Sequence, residues 1–273
     1  MFDTRKTGMK IAALRKAKDL TQMDLADKMM VSYQAVSNWE RGNSLPDISK
    51  LVDLSQILGV SIEELLDSER EAKIVERIVQ SSGDVPLKEA ARVAVMMKPA
   101  ELEEVIEKNQ TEQLDSETLL SLAPYVRTEK LITMIDRVKV ENIETLIGLA
   151  PFLDSKALKD MLLKQNDLHG DRSQLIGFAP FMESSDIVEV LKRNQGLEGG
   201  LGSLIGLAPF LKKSDLEELI ESLPEEQKLS DSLVGIAPFL KSKYVTRLGR
   251  QALEAGKRGL FRMLLPFMDD ADF

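Results

Sequence analysis

Six proline-centred segments, SLAPYV, GLAPFL, GFAPFM, GLAPFL, GIAPFL and MLLPFM, place Pro124, Pro151, Pro180, Pro209, Pro238 and Pro266 at intervals of 27, 29, 29, 29 and 28 residues. A degenerate earlier copy, VAVMMKPAELEEVI, puts Val95 in the proline's place, 29 residues before Pro124. Such a period constrains the fold more than any composition does, because it demands one supersecondary unit repeated along an axis. Each copy reads as an apolar segment ending near the Pro-Phe pair, a polar corner, and an amphipathic helix. The second-helix triplets Leu102/Val105/Ile106, Leu131/Met134/Ile135, Leu158/Met161/Leu162, Ile187/Val190/Leu191 and Leu216/Leu219/Ile220 all fall at i, i+3 and i+4. A single copy cannot bury both of its faces, whereas stacked copies can, so residues 85–273 are expected to form an α-solenoid of helical hairpins.

Within each copy the proline removes an amide donor and should kink or end the first helix. Gly148, Gly177, Gly206 and Gly235 recur three residues before it, where a missing side chain lets a neighbouring helix approach. The architecture is similar in style to HEAT-type repeats. An apolar motif that recurs once per copy is read as inter-repeat packing, and any ligand contacts are expected from residues that vary between copies.

A chain of 273 residues, 43% hydrophobic and 30% charged, has room for two ordinary globular domains. No apolar run approaches the roughly 20 residues needed to cross a bilayer, and the first ten residues do not lead into a signal peptide, so a cytoplasmic, nucleoid-associated protein without membrane contact is expected. With no cysteine, and His169 as the single histidine in a Gly/Asp-flanked loop, neither a metal nor a cofactor is expected. Enzymatic activity is not expected either. The pairs Glu103/Glu104 and Glu217/Glu218 are adjacent on helices and point in different directions, and Gly199, Gly200 and Gly202 sit in a loop without the strand or lysine of a phosphate cradle. The net charge of −9 is unevenly distributed: residues 1–66 hold nine bases and nine acids, and the remainder holds 27 bases against 36 acids.

Residues 1–66 divide by periodicity and cap signals into five short helices, over 8–18, 22–29, 33–41, 48–58 and 62–66. Thr21 with Asp24, Ser32, Asp47, and Ser61 with Glu64 mark four of the starts. Three residues between the second and third helices leave room for a tight corner alone. Leu25, Met29, Val31, Val36 and Trp39 fall where two steeply crossing helices share a core, and Ala26 is small at their closest approach. Residues 67–84 read as a charged amphipathic helix, with Ile74, Val75, Ile78 and Val79 on one side, followed by a Ser/Gly/Asp/Pro break.

The stretches LTQMDLADKM, VSYQAVSNWERGNSLPDISKL and ILGVSIEELL together resemble the Cro/C1-type, or XRE-family, helix-turn-helix, in order and over about a quarter of the chain. The resemblance implies an all-α chain, with a five-helix lambda-repressor-like domain ahead of the solenoid. It departs from the family at Met30, where glycine is usual; a left-handed backbone there costs about 1 kcal/mol without glycine. With Trp39, Val36 and part of Ala35 turned inward, Tyr33, Gln34, Ser37 and Asn38 remain on the outer surface of the third helix. The resemblance gives that helix the recognition role. Gln34 and Asn38 are the first candidates to read bases, since an amide can pair with adenine in the major groove, and Tyr33 and Ser37 are second. Gln22 and Ser32 are implied to hold phosphates; Lys10, Arg15, Lys16 and Arg41 are further candidates. Glu40 and Arg41 are expected to fix the turn at Gly42.

These readings lead to a sequence-specific transcription regulator, expected to act as a repressor, that binds double-stranded DNA at a palindromic operator as a homodimer. The alternative is a protein-interaction module, an antitoxin or adaptor, whose repeats bind a protein or peptide while the DNA domain serves autoregulation.

Overall fold

Each of the first five helices begins where a short polar side chain accepts from an amide that the helix leaves without an acceptor. Asp3 caps α1 (Thr4–Ala17), Thr21 caps α2 (Gln22–Met29), Ser32 caps α3 (Tyr33–Arg41), Asp47 caps α4 (Ile48–Leu58) and Ser61 caps α5 (Ile62–Leu66). Helices α2 to α5 span the residues read from the sequence, but α1 starts at Thr4 rather than at Gly8, because Asp3 takes the amides of Arg5 and Lys6. Gly8 instead serves the interior of α1: a Cβ there would lie 2.3 Å from the Trp39 carbonyl oxygen, so α1 lies directly on the backbone of α3. These positions come from a computed structural model that describes residues 3–80, 85–138, 143–164, 173–193 and 200–269. The break at 81–84, His169 and Gly199 fall outside the described residues.

The five helices close over a core of Ile11, Leu25, Ala26, Met29, Val36, Trp39, Leu54, Leu58 and Leu65. The corner between α2 and α3 turns on Met30, whose φ of 52° and ψ of 46° are left-handed as the short connection requires, with its side chain 87% exposed.

Helix α6 (Glu69–Gln80) packs on α4, α5 and α7 (Leu87–Val93). Ile74, Val75 and Ile78 are buried as the pattern predicts, but Val79 is 51% exposed. The buried stripe runs through Glu71, Ala72, Ile74, Val75 and Ile78, and Val79 falls past its edge. Glu71 tolerates burial because Arg92 donates to it from Nε at 2.9 Å and from a terminal nitrogen at 2.5 Å, and Ser68 donates its hydroxyl.

The chain divides into two compact units, residues 1–140 and 141–273. The first also holds α7, α8 (Pro99–Lys108), α9 (Ser116–Leu122) and α10 (Thr128–Arg137). The second holds α11 (Ile143–Leu149), α12 (Ser155–Lys164), α13 (Ser173–Phe178), α14 (Ser184–Arg193), α15 (Lys213–Glu221), α16 (Glu225–Lys228), α17 (Ser232–Ile236), α18 (Ser242–Glu254) and α19 (Arg258–Leu264). Gly200 and Gly202, read as loop residues, lie in a 3-10 helix, Gly200–Leu204, that takes the first-helix place in its copy. Among the described residues there is no strand.

Each proline ends its first helix in a single 3-10 turn, as in Ala123–Tyr125, Ala150–Phe152, Ala179–Phe181, Ala208–Phe210 and Ala237–Phe239. The turn also forms at Ala94–Met96, where Val95 replaces the proline, so the proline is not required for it. In the second unit the glycines receive the isoleucine of the preceding copy. A Cβ on Gly177 would lie 2.9 Å from Ile147 Cδ1, one on Gly206 2.3 Å from Ile176 Cδ1, and one on Gly235 3.3 Å from Ile205 Cδ1.

A polar ladder runs beside this apolar contact. Ser155 donates to Asp186 at 2.5 Å and accepts from the Glu183 amide at 2.7 Å. One copy later Ser184 donates to Asp215 at 2.5 Å and accepts from the Lys212 amide at 2.8 Å. A hydroxyl that satisfies both a carboxylate and an amide of the next copy ties the two copies together at the same register as the isoleucine–glycine contact.

Candidate nucleic-acid interface

Helix α3 is held at both ends. At its start Ser32 Oγ accepts from the Ala35 amide at 3.2 Å, which leaves the hydroxyl hydrogen free to donate outward. At its end Gly42 takes a left-handed φ of 71°, and a Cβ there would lie 2.8 Å from Arg5 Cα. Val36 and Trp39 bury its inner face. Tyr33, half exposed, and Gln34 stand on the outer face at the helix start, with Ser37 and Asn38 partly covered one turn further on. Among the described residues the Gln34 amide has no hydrogen-bond partner. All four thus lie on the surface anticipated from the sequence.

The charged candidates are used differently from the sequence reading. Arg15 is 7% exposed, and its guanidinium is spent inside the domain. It meets Glu40 through Nε at 2.5 Å and through a terminal nitrogen at 3.0 Å, and donates to the Leu20 carbonyl at 2.5 Å. This withdraws it from the phosphate-contacting set, because the side chain is buried and three of its five N–H groups are closed on partners inside the domain. Glu40 does not fix the turn at Gly42 as expected; it bridges three helices, since Gln22 on α2 also donates to it at 2.7 Å. Burial pushes the Glu40 carboxyl up, but the hydrogen bonds from Arg15 and Gln22, with the Arg15 charge, outweigh burial and hold it below the ordinary carboxylate range. Gln22 is therefore oriented by Glu40 and stays partly exposed at the start of α2.

Lys10 is half-buried beside Glu64, at 3.5 Å, while Lys16 and Arg41 are exposed. Arg41 Nε donates to the Ser37 carbonyl at 3.1 Å and a terminal nitrogen to Asn38 Oδ1 at 2.9 Å. The sequence carries no signal for the Arg15–Glu40–Gln22 cluster, in which Arg15 and Gln22 lie 25 and 18 positions before Glu40 and reach it only when α1 and α2 pack on α3. No group of His, Cys, Asp and Glu that could hold a metal ion occurs among the described residues. No helix among them is long and apolar enough to cross a membrane.

A capped, clamped second helix of a steep two-helix corner, with an exposed amide at its start, defines a helix-turn-helix domain. The helix-turn-helix family model matches residues 11–65. Over 60 residues the chain is 42% identical to the HTH-type transcriptional activator BcrR of Enterococcus faecalis, a match covering 22% of this chain and 29% of that protein. Over 63 residues it is 35% identical to the uncharacterized HTH-type transcriptional regulator YazB of Bacillus subtilis (strain 168), covering 23% of this chain and 91% of that protein. The chain belongs to the helix-turn-helix family of transcriptional regulators. The match to BcrR thus spans less than a third of that relative's length. Among solved structures, ComR from Streptococcus suis aligns over 97% of this chain and 94% of its own, at 14% identity and a TM-score of 0.23.

Proposed function

We propose that the chain is a sequence-specific DNA-binding regulator, a repressor that reads a palindromic operator as a homodimer through α3, with residues 85–273 as its sensory or dimerising part. The observation that carries this reading is the outer face of α3: Gln34 free and exposed beside Tyr33, on a helix whose inner face and both ends are fixed. Gln34 and Asn38 read base edges, with Tyr33 and Ser37 beside them; Gln22, Ser32, Lys16 and Lys10 hold phosphates on either side. A regulator of this kind acts in the cytoplasm. Selection of bound duplexes from a random pool tests the proposal: a palindrome with half-sites about one helical turn apart supports it, and equal affinity for selected and random duplexes refutes it.

One observation favours an interaction role for the repeats as well. The segments 175–182, 204–211 and 233–240 contain no charged residue, in a chain that is 30% charged, yet Ile176, Phe181, Ile205 and Phe210 are 36–40% exposed on them. An uncharged, partly exposed apolar strip suits a second polypeptide, be it a peptide, a protein or another copy of this chain. Phe181→Asp with Phe210→Asp in the full chain should weaken self-association or partner capture in light scattering and pull-down; association unchanged in both would refute this role.

A further inference from the structure

On the outer face of α3 Arg41 makes a side-chain contact with Asn38, and it alters what Asn38 can read. Arg41 is anchored at two points: Nε on the Ser37 carbonyl at 3.1 Å and a terminal nitrogen on Asn38 Oδ1 at 2.9 Å. The planar fork fixes both bonds at once, so the guanidinium lies along the last turn of the helix with its remaining N–H groups beside the Asn38 amide. Asn38 is partly covered, which limits its alternatives, and its Nδ2 donates to nothing among the described residues.

A free asparagine offers one acceptor and one donor side by side, the pattern that matches adenine N6–H and N7. With one lone pair of Oδ1 taken by a cation, its remaining acceptor capacity is reduced and the edge is dominated by donors: the Asn38 Nδ2–H2 and the spare guanidinium N–H groups. In the major groove the base edge that presents two adjacent acceptors, N7 and O6, is that of guanine. Gln34 carries no such partner and retains the adenine pattern.

We infer that Arg41 is a positioning residue that biases Asn38 toward donating, so that the base facing Asn38 is guanine rather than adenine. This rests on the reading of α3 as the recognition helix. The test is duplex selection with the full-length protein and three variants, Asn38→Ala, Arg41→Ala and Arg41→Lys, followed by affinities at two salt concentrations. In the wild type, the position whose preference vanishes with Asn38→Ala is expected to hold guanine over adenine by about tenfold or more. Arg41→Ala should erase that preference or convert it to adenine, leaving the position read by Gln34 unchanged. Arg41→Lys keeps the charge but cannot fork; it should lose the guanine preference while retaining the wild-type salt dependence.

Adenine at the Asn38 position in the wild type overturns the inference. So does an Arg41→Ala protein that binds all sequences more weakly by one common factor, with a salt slope reduced by about one, since that is the behaviour of a phosphate contact. A wild type that enriches no sequence refutes the recognition role itself, and the inference falls with it, an outcome distinct from the other two.

Discussion

Breaking the Arg15–Glu40 pair should unfold the DNA-binding domain more readily than any exposed substitution in it. Both side chains are less than a tenth exposed, at 8% and 7%, and the bonds between them are bidentate. Removing one partner leaves a buried charge without its counterion, a loss of about 3–5 kcal/mol in comparable sites. Arg15→Met and Glu40→Leu are each expected to lose about that much. The double variant, which buries two apolar groups in the same volume, should recover to within about 1–2 kcal/mol of the wild type. Trp39 is the chain's single tryptophan, lies 6% exposed one residue from Glu40, and reports this domain alone in a urea titration followed by fluorescence. The pH dependence has a defined sign. The Glu40 carboxyl is held below its ordinary value, so its contribution is complete above the ordinary carboxylate range and is lost as pH falls through the depressed value. In Arg15→Met the chief group holding it down is gone, and loss of the native Trp39 signal should begin at higher pH than in the wild type. Single variants that each lose less than about 1 kcal/mol, or a double variant that loses the sum of the two, would refute the claim that the pair is energetically coupled.

Met30→Gly should stabilise the domain by about 1 kcal/mol in the same titration, since it relieves a left-handed φ of 52° at an exposed position that holds no core contact. Gly8→Ala should do the reverse of what helix propensity predicts: alanine favours a helix by up to about 1 kcal/mol, but its Cβ would stand 2.3 Å from the Trp39 carbonyl, and a net loss of about 1–3 kcal/mol is expected. In the second unit, Ser184→Ala removes the buried hydroxyl that joins Asp215 and the Lys212 amide, for a loss of about 1–3 kcal/mol by circular dichroism; Ser214→Ala, which removes an exposed contact to Asp215, should stay within about 0.5 kcal/mol. On DNA, Gln34→Ala should lose about 1–3 kcal/mol of discrimination at one base pair, whereas Gln22→Ala should weaken every sequence alike in a filter-binding or anisotropy assay.

Local chemistry was legible from the chain. Thr21, Ser32, Asp47 and Ser61 announce four helix starts because a cap is an interaction across three residues, and the 29-residue period announces stacked hairpins because each copy must bury the same faces. The outward set on α3 follows from Val36 and Trp39 alone, since a helix with two buried positions has its opposite face decided. What folding in three dimensions decided are the contacts between residues far apart in sequence. Arg15 reads as a surface base until α1 crosses α3 and closes it on Glu40; Gly8 reads as a helix start until the Trp39 carbonyl is found against it. Nothing in the sequence around Ser155 and Ser184 points to the aspartate and the amide that the next copy supplies to each. A periodic pattern reports which face of a helix is buried. Which charge meets which depends on the angle at which two such faces cross, and that angle is set by the packing of the whole core rather than by any one segment.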